Sequence, residues 1–166
     1  SDGAVVAWGH YMFNGSEVPA LPPGLVWVEV ESGWNHTVAR AAQAPLWAEL
    51  GYALAGSAGE PSLSGDGTLQ PDSVVQLSLA DARPLAFAVL VVGSSPLYAP
   101  FKGGVMVPDA DFLLPMLTDP LGGALLGGRM PPGTQSGHST YFQWWIQDPA
   151  GPKGFAASNA LAGTTP

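Results

Sequence analysis

Ser139-Thr-Tyr-Phe-Gln-Trp-Trp-Ile-Gln-Asp148 alternates as the pleat of a β-strand does. Thr140, Phe142, Trp144 and Ile146 make one mostly apolar face, and Tyr141 and Trp145 alternate with Gln143 and Gln147 on the other. The stretch ends on Asp148-Pro-Ala-Gly-Pro152, where proline removes the amide that a continuing ladder needs. A second apolar run, Phe155 to Leu161, follows. The pair reads as the closing hairpin of a β-sandwich, with the first strand central and Phe142, Trp144 and Ile146 in its core.

Composition agrees with that reading. The chain has 166 residues, 22 Gly, 17 Pro and 11% charged residues, which disfavours long helices and suits many short strands joined by turns. Its length accommodates one sandwich of about 100 to 120 residues and a smaller appendage. A net charge of −8 with five scattered Lys and Arg argues against nucleic acid, whose binding rests on phosphate neutralisation. Without cysteine there is neither a disulfide framework nor a thiolate metal site, so stability must come from packing. No apolar run approaches the length of a membrane span, and no signal-peptide pattern opens the chain. Low charge and abundant Gly, Ala, Ser and Thr point to an extracellular or cell-surface protein that has lost a signal peptide or follows an upstream segment.

Working outward, residues 50–163 form a series of short apolar runs at sandwich spacing: Leu50 to Leu54, Ser62 to Leu63, Val74 to Leu79, Leu85 to Val92, Gly104 to Val107, Phe112 to Leu117, Ala124 to Leu126 and the closing pair. Leu85 to Val92 is apolar on both faces and reads as a central strand. The expected fold is all-β, an Ig-like or jelly-roll sandwich of about eight to nine strands. Residues 44–49, with Pro45 and then Trp47 as an anchor, read as a linker with room for one helical turn. Residues 1–43 read as two or three strands: Ala4 to Trp8, Leu25 to Glu31 and His36 to Arg40. The middle one alternates Val26, Val28 and Val30 against Trp27, Glu29 and Glu31.

Two family resemblances attach to these segments. Ser1-Asp-Gly-Ala-Val-Val-Ala-Trp-Gly9, Val18-Pro19, Leu21-Pro-Pro-Gly-Leu25, Gly33 and His36-Thr-Val-Ala39 resemble one repeat of the regulator of chromosome condensation type, in its secreted bacterial form. In that family several repeats build the blades of a propeller. A single repeat of about 40 residues cannot bury its own faces, so the family's nucleotide-exchange role is not carried over. Gly56-Ser-Ala-Gly-Glu-Pro-Ser-Leu63, Gly67, Val74 to Leu79, Val92-Gly93, Tyr141-Phe-Gln143, Asp148-Pro149, Gly154 and Ala157-Ser-Asn-Ala-Leu161 resemble the uncharacterised C-terminal β-sandwich domain of large secreted proteins from environmental bacteria. That resemblance implies a sandwich and no activity. The cysteines frequent in that family are missing here.

Candidate chemistry is sparse. His10, His36 and His138 have no second ligand at metal-site spacing. Ser139, His138 and Asp148 could be assembled on paper into a triad, but there is no G-x-S-x-G elbow, and sequence neighbours on a strand point to opposite faces. Asp109 with Asp111, and Asp66 with Asp72, are hard-oxygen candidates for calcium, yet the dense acidic loop of known calcium sites is missing and turn-forming Asp explains them equally. Trp145 and Trp27 lie on the more polar strand faces, where exposed rings serve glycan binding or subunit contact. Asn14-Gly-Ser16 and Asn35-His-Thr37 are glycosylation sequons.

These observations lead to the expectation of a non-enzymatic structural module, without a cofactor, that forms a homo-oligomer or homopolymer. Its N-terminal segment leaves strand edges open and an apolar surface of Val5, Trp8, Val26, Trp27, Val28 and Val30 that it cannot cover internally. Burial against a neighbouring copy would propagate head to tail as a filament. The alternative is an accessory glycan- or calcium-binding domain of a larger secreted protein.

Overall fold

The computed structural model describes residues 21, 25–34 and 37–166. It separates into two compact units, Ser1–Pro45 and Leu46–Pro166. Within the first, β1 (Leu25–Ser32) and β2 (Thr37–Gln43) form an antiparallel hairpin. Trp27 pairs with Ala41 and Glu29 with Arg40, so Val28 is an extra residue, a β-bulge. The bulge changes the faces. Because paired side chains share a side of the sheet, Trp27 joins Val30, Ala39 and Ala41 on one face. Val26, Glu29, Glu31, Val38 and Arg40 take the other, where the Arg40 Nε donates to Glu29 Oε2 at 3.0 Å. The expected single face of Val26, Val28 and Val30 is therefore corrected. Alternation predicts faces only while the ladder stays in register. The Ala4 to Trp8 strand, with Val5 and Trp8, lies outside the described residues.

The second unit is all-β and sandwich-like. Its strands are β3 (Trp47–Gly51), β4 (Ser62–Asp66), β5 (Val74–Ala80), β6 (Phe87–Gly93), β7 (Pro96–Phe101), β8 (Gly104–Pro108), β9 (Phe112–Leu117), β10 (Ala124–Arg129), β11 (Ser139–Gln147), β12 (Phe155–Ala157) and β13 (Ala160–Thr164). A small sheet is ordered β10-β5-β4 and a large one β3-β13-β11-β6-β9, with β12 also on β11 and β7-β8 a separate hairpin. The two sheets enclose the main core. Leu63, Leu77 and Leu79 from the small sheet meet Ala88, Leu90, Trp144, Ile146 and Leu161 from the large one, and Phe142, Trp47, Met116 and Val92 pack at its margin. Trp144 and Ile146 are buried and Phe142 is half-buried, on the face expected for them.

The other face of β11 departs from expectation. Trp145 is only 4% exposed, because the β7-β8 hairpin lies over this side of the large sheet. The Phe101 ring meets the indole edge-on at 4.9 Å, and Val91, Ala157, Leu54, Met106 and Phe155 complete the cluster. Gln143, fully buried beside it, is satisfied by backbone: its Oε1 accepts from Val107 N–H at 3.0 Å, and its Nε2 donates to the carbonyls of Val105 and Ser158 at 3.1 and 3.3 Å. Pro96 and Pro100 conceal β7 in the sequence. Its turn into β8 uses Lys102 and Gly103, both at positive φ (47° and 93°), the geometry a tight two-residue hairpin requires.

Two further expectations need correction. Residues 44–49 are no simple linker, since β3 begins at Trp47 and pairs with β13. The Trp47 ring lies against Gly65 and Gly163, where an added Cβ would come within 2.4 and 2.8 Å of it, and its Nε1 donates to the Gly67 carbonyl at 3.0 Å. The apolar run from Phe155 to Leu161 breaks at Ser158-Asn159 into β12 and β13, both on the same partner, β11. The break is stapled: Ser158 Oγ accepts from Trp144 N–H, and the Asn159 side chain bonds both backbone groups of Leu63.

Candidate functional site

The imagined triad does not assemble. Ser139 opens β11 and Asp148 follows its last residue, a separation on the order of 30 Å at strand rise. Ser139 Oγ contacts Thr164 Oγ1 at 2.9 Å. His138 is exposed, and its backbone N–H donates to Thr165 Oγ1. Asp148 is buried and closes a turn: Oδ2 accepts from Ser57 N–H at 2.6 Å and from its hydroxyl at 2.7 Å, while Oδ1 accepts from Ala150 N–H at 3.0 Å. Burial pushes this carboxyl's pKa up, but the Ser57 and Ala150 hydrogen bonds and the charge of Arg83 outweigh it and hold the pKa below the ordinary value.

Two other carboxylates, Asp111 and Asp119, behave alike. Asp111 accepts from Ser94 hydroxyl and N–H at 2.7 and 2.8 Å, bonds that lower its pKa against slight desolvation. Asp119 accepts from Leu121 and Gly123 N–H. Asp72 has positive φ, and its backbone carbonyl, not its carboxylate, accepts from Arg129 Nη1 at 3.0 Å. Among the described residues, no three His, Asp or Glu side chains gather as a metal site would need. The sequons at Asn14 and Asn35, and His10 and His36, lie outside the described residues.

Of the aromatic candidates, Trp145 is removed from the surface by the β7-β8 hairpin, and Trp27 is half-buried. Other rings take their place. Trp34, at the tip of the β1-β2 hairpin, is fully exposed at 101%. The Tyr52 and Tyr98 rings meet at a tilt of 58° with centroids 5.5 Å apart, both residues are exposed, and each has its backbone at positive φ.

Among the described residues, a run of exposed apolar side chains surrounds β9. This strand ends the large sheet, so its outer backbone edge is unpaired among the described residues. Its sequence, Phe112-Leu-Leu-Pro-Met-Leu117, carries no charge. Phe112 and Leu117 are 68% and 66% exposed, and Leu113 and Leu114 are also exposed. Register places Phe112 and Leu114 beside Val92 and Leu90 on one face, and Leu113 and Leu117 beside Val91 and Phe87 on the other. Phe87, Leu85 and Leu121 extend the exposed apolar area. The run was recognisable as a strand, but its edge position was missed. Pro115 was the available signal, because proline in a strand belongs at an edge.

Elsewhere, the outer face of the small sheet is mixed, with Ser62, Ser64, Asp66, Gln76 and Ser78 beside exposed Val74 and Leu125. A shallow open depression on the hairpin is lined by Glu29, Glu31, Val38 and Arg40. No helix among the described residues is long and apolar enough to cross a membrane. No protein-family model, no curated protein and no solved structure matches the chain.

Proposed function

We propose that this chain is a non-enzymatic extracellular structural module that associates with copies of itself, its N-terminal segment serving as the intersubunit contact and growth proceeding head to tail. The observation that carries this reading is the hairpin: two strands whose outer edges are unpaired among the described residues, exposed Val26, Val28, Val30 and Val38, and a fully exposed Trp34 at the tip. A bare tryptophan is the residue type most enriched among binding hot spots, and unpaired strand edges recruit further strands. The carboxylates of Asp111, Asp119 and Asp148 are engaged in turns, which supports a structural role for them over a catalytic one. The extracellular placement rests on the weakly charged, acidic composition rich in Gly, Ala, Ser and Thr. Likeness to a lone propeller repeat fits a segment that needs a neighbour to cover it.

Deleting residues 1–41 tests this reading. The second unit holds its own core, so the truncated chain should fold and remain a monomer in sedimentation velocity. A truncated chain that assembles as the full one does would return the segment to packing within one chain. A second reading, an accessory glycan-binding module, is favoured by the exposed Tyr52-Tyr98 pair. A strictly monomeric full chain that binds a glycan array, and loses that binding on Tyr98→Ala, would select it.

A further inference from the structure

We propose that β9 is the acceptor in this association, and that β2 of a second copy adds to it as a strand, continuing the large sheet across the subunit boundary. The inference rests on the reading of the N-terminal segment as the contact and names what that segment meets.

The form of the acceptor dictates the form of the occupant. Exposed side chains lie on both faces of β9, with the unpaired backbone edge between them. An occupant must bond along the edge and send side chains alternately to both sides, which is what a strand does. Among the described residues, the other outer edges of the two main sheets are less suited. β3 carries Glu49, β4 reads Ser-Leu-Ser-Gly-Asp, and β10 ends Gly-Gly-Arg.

Charge and size select the donor. Asp109 and Asp111 precede β9 and Asp119 follows it, so the edge lies in a negative field. β1 would add Glu29 and Glu31 to that field, whereas β2 holds no acid and one arginine, Arg40, with a side chain 70% exposed. β2 is also built of small residues, with Ala39, Ala41 and Ala42, which fit beside Phe112, Leu113, Leu114 and Leu117 where large residues would crowd. The strands match in length, seven residues and six. Symmetric pairing of β9 with itself is disfavoured, because antiparallel alignment brings Asp111 of each copy towards Asp119 of the other. The complementary edges belong to different parts of the chain, so copies join heterologously and the assembly need not close.

The cysteine-free chain allows a direct test. Full-length single-cysteine variants on β2 (Val38→Cys, Ala39→Cys) and on β9 (Leu113→Cys, Leu114→Cys) are given tags of different size, mixed in pairs and oxidised at concentrations where the wild-type chain assembles. The expected product is the mixed β2-β9 dimer, increasing with concentration. In parallel, Arg40→Glu and Leu114→Lys should each raise the concentration needed for assembly by about tenfold or more. The Arg40-Glu29 pair is exposed and contributes little to stability, so Arg40→Glu should keep the wild-type circular dichroism. Cross-links between β9 and β9, cross-links only between β2 and β2, or none in assembled protein would overturn the proposal. Unchanged assembly of Leu114→Lys, with assembly lost on deleting residues 1–41, would remove β9 as acceptor while leaving the N-terminal contact standing. Unchanged assembly of the truncated chain would remove that contact itself.

Discussion

Leu90 and Leu114 are the same residue, paired across neighbouring strands on the same face of one sheet, yet Leu90 is fully buried and Leu114 is 45% exposed. The strands around them, β6 and β9, are similarly apolar. What separates them is cover. β6 has β11 on one side and β9 on the other, the small sheet over one face and the β7-β8 hairpin towards the other, whereas β9, among the described residues, has a neighbour on one side only. Apolar character in β6 serves cohesion within the chain. In β9 it remains available for contact with something outside.

The sharpest ways to break this contrast are substitutions in the doubly covered centre. Trp144→Ala should cost about 3 to 5 kcal/mol in urea titration, the range for removing a buried large aromatic from a close-packed core. Trp145→Ala should cost nearly as much, about 2 to 4 kcal/mol, because its face is covered too. A cost for Trp145→Ala close to zero would mean that the β7-β8 hairpin does not cover that face. Both indole N–H groups lack a partner among the described residues, so Trp→Phe at either position should be milder than lost volume alone predicts.

Leu90→Ala should then cost about 2 to 5 kcal/mol, while Leu114→Ala, measured on dilute monomer, should cost less than about 1 kcal/mol. Equal costs would erase the distinction between centre and edge. Between these lies Asp148→Asn, expected to cost about 1 to 3 kcal/mol at neutral pH through weakened bonds to Ser57. Its pH dependence has a defined sign. The folded pKa is lowered, so on acidification the unfolded chain takes up the proton first. The stabilisation is complete above the ordinary carboxylate range and is lost as pH falls through the lower folded value. The gap between wild type and Asp148→Asn should therefore close below about pH 4.

Much of the sandwich was legible from residue 139 onward because β11 keeps strict register. The alternation of Phe142, Trp144 and Ile146 identified the inner face, and Asp148-Pro149 identified the turn. Where local devices interrupt the pattern, reading fails. The Val28 bulge reverses the faces of β1, the prolines of β7 conceal the hairpin that buries Trp145, and Ser158-Asn159 divides one apolar run into two strands. The candidate surface was harder to read, since edge and centre are properties of strand order and no local pattern in Phe112 to Leu117 apart from Pro115 reports them. Trp34 gave even less signal, as its exposure depends on its place at a hairpin tip.

The central claim, that this apolar edge and the N-terminal hairpin exist to join copies of the chain, is tested most directly by sedimentation velocity of the full-length protein over a dilution series. The account predicts species heavier than the 17.0 kDa chain that grow with concentration without settling at one stoichiometry, as an open head-to-tail contact requires. A single 17.0 kDa species at every concentration would contradict it.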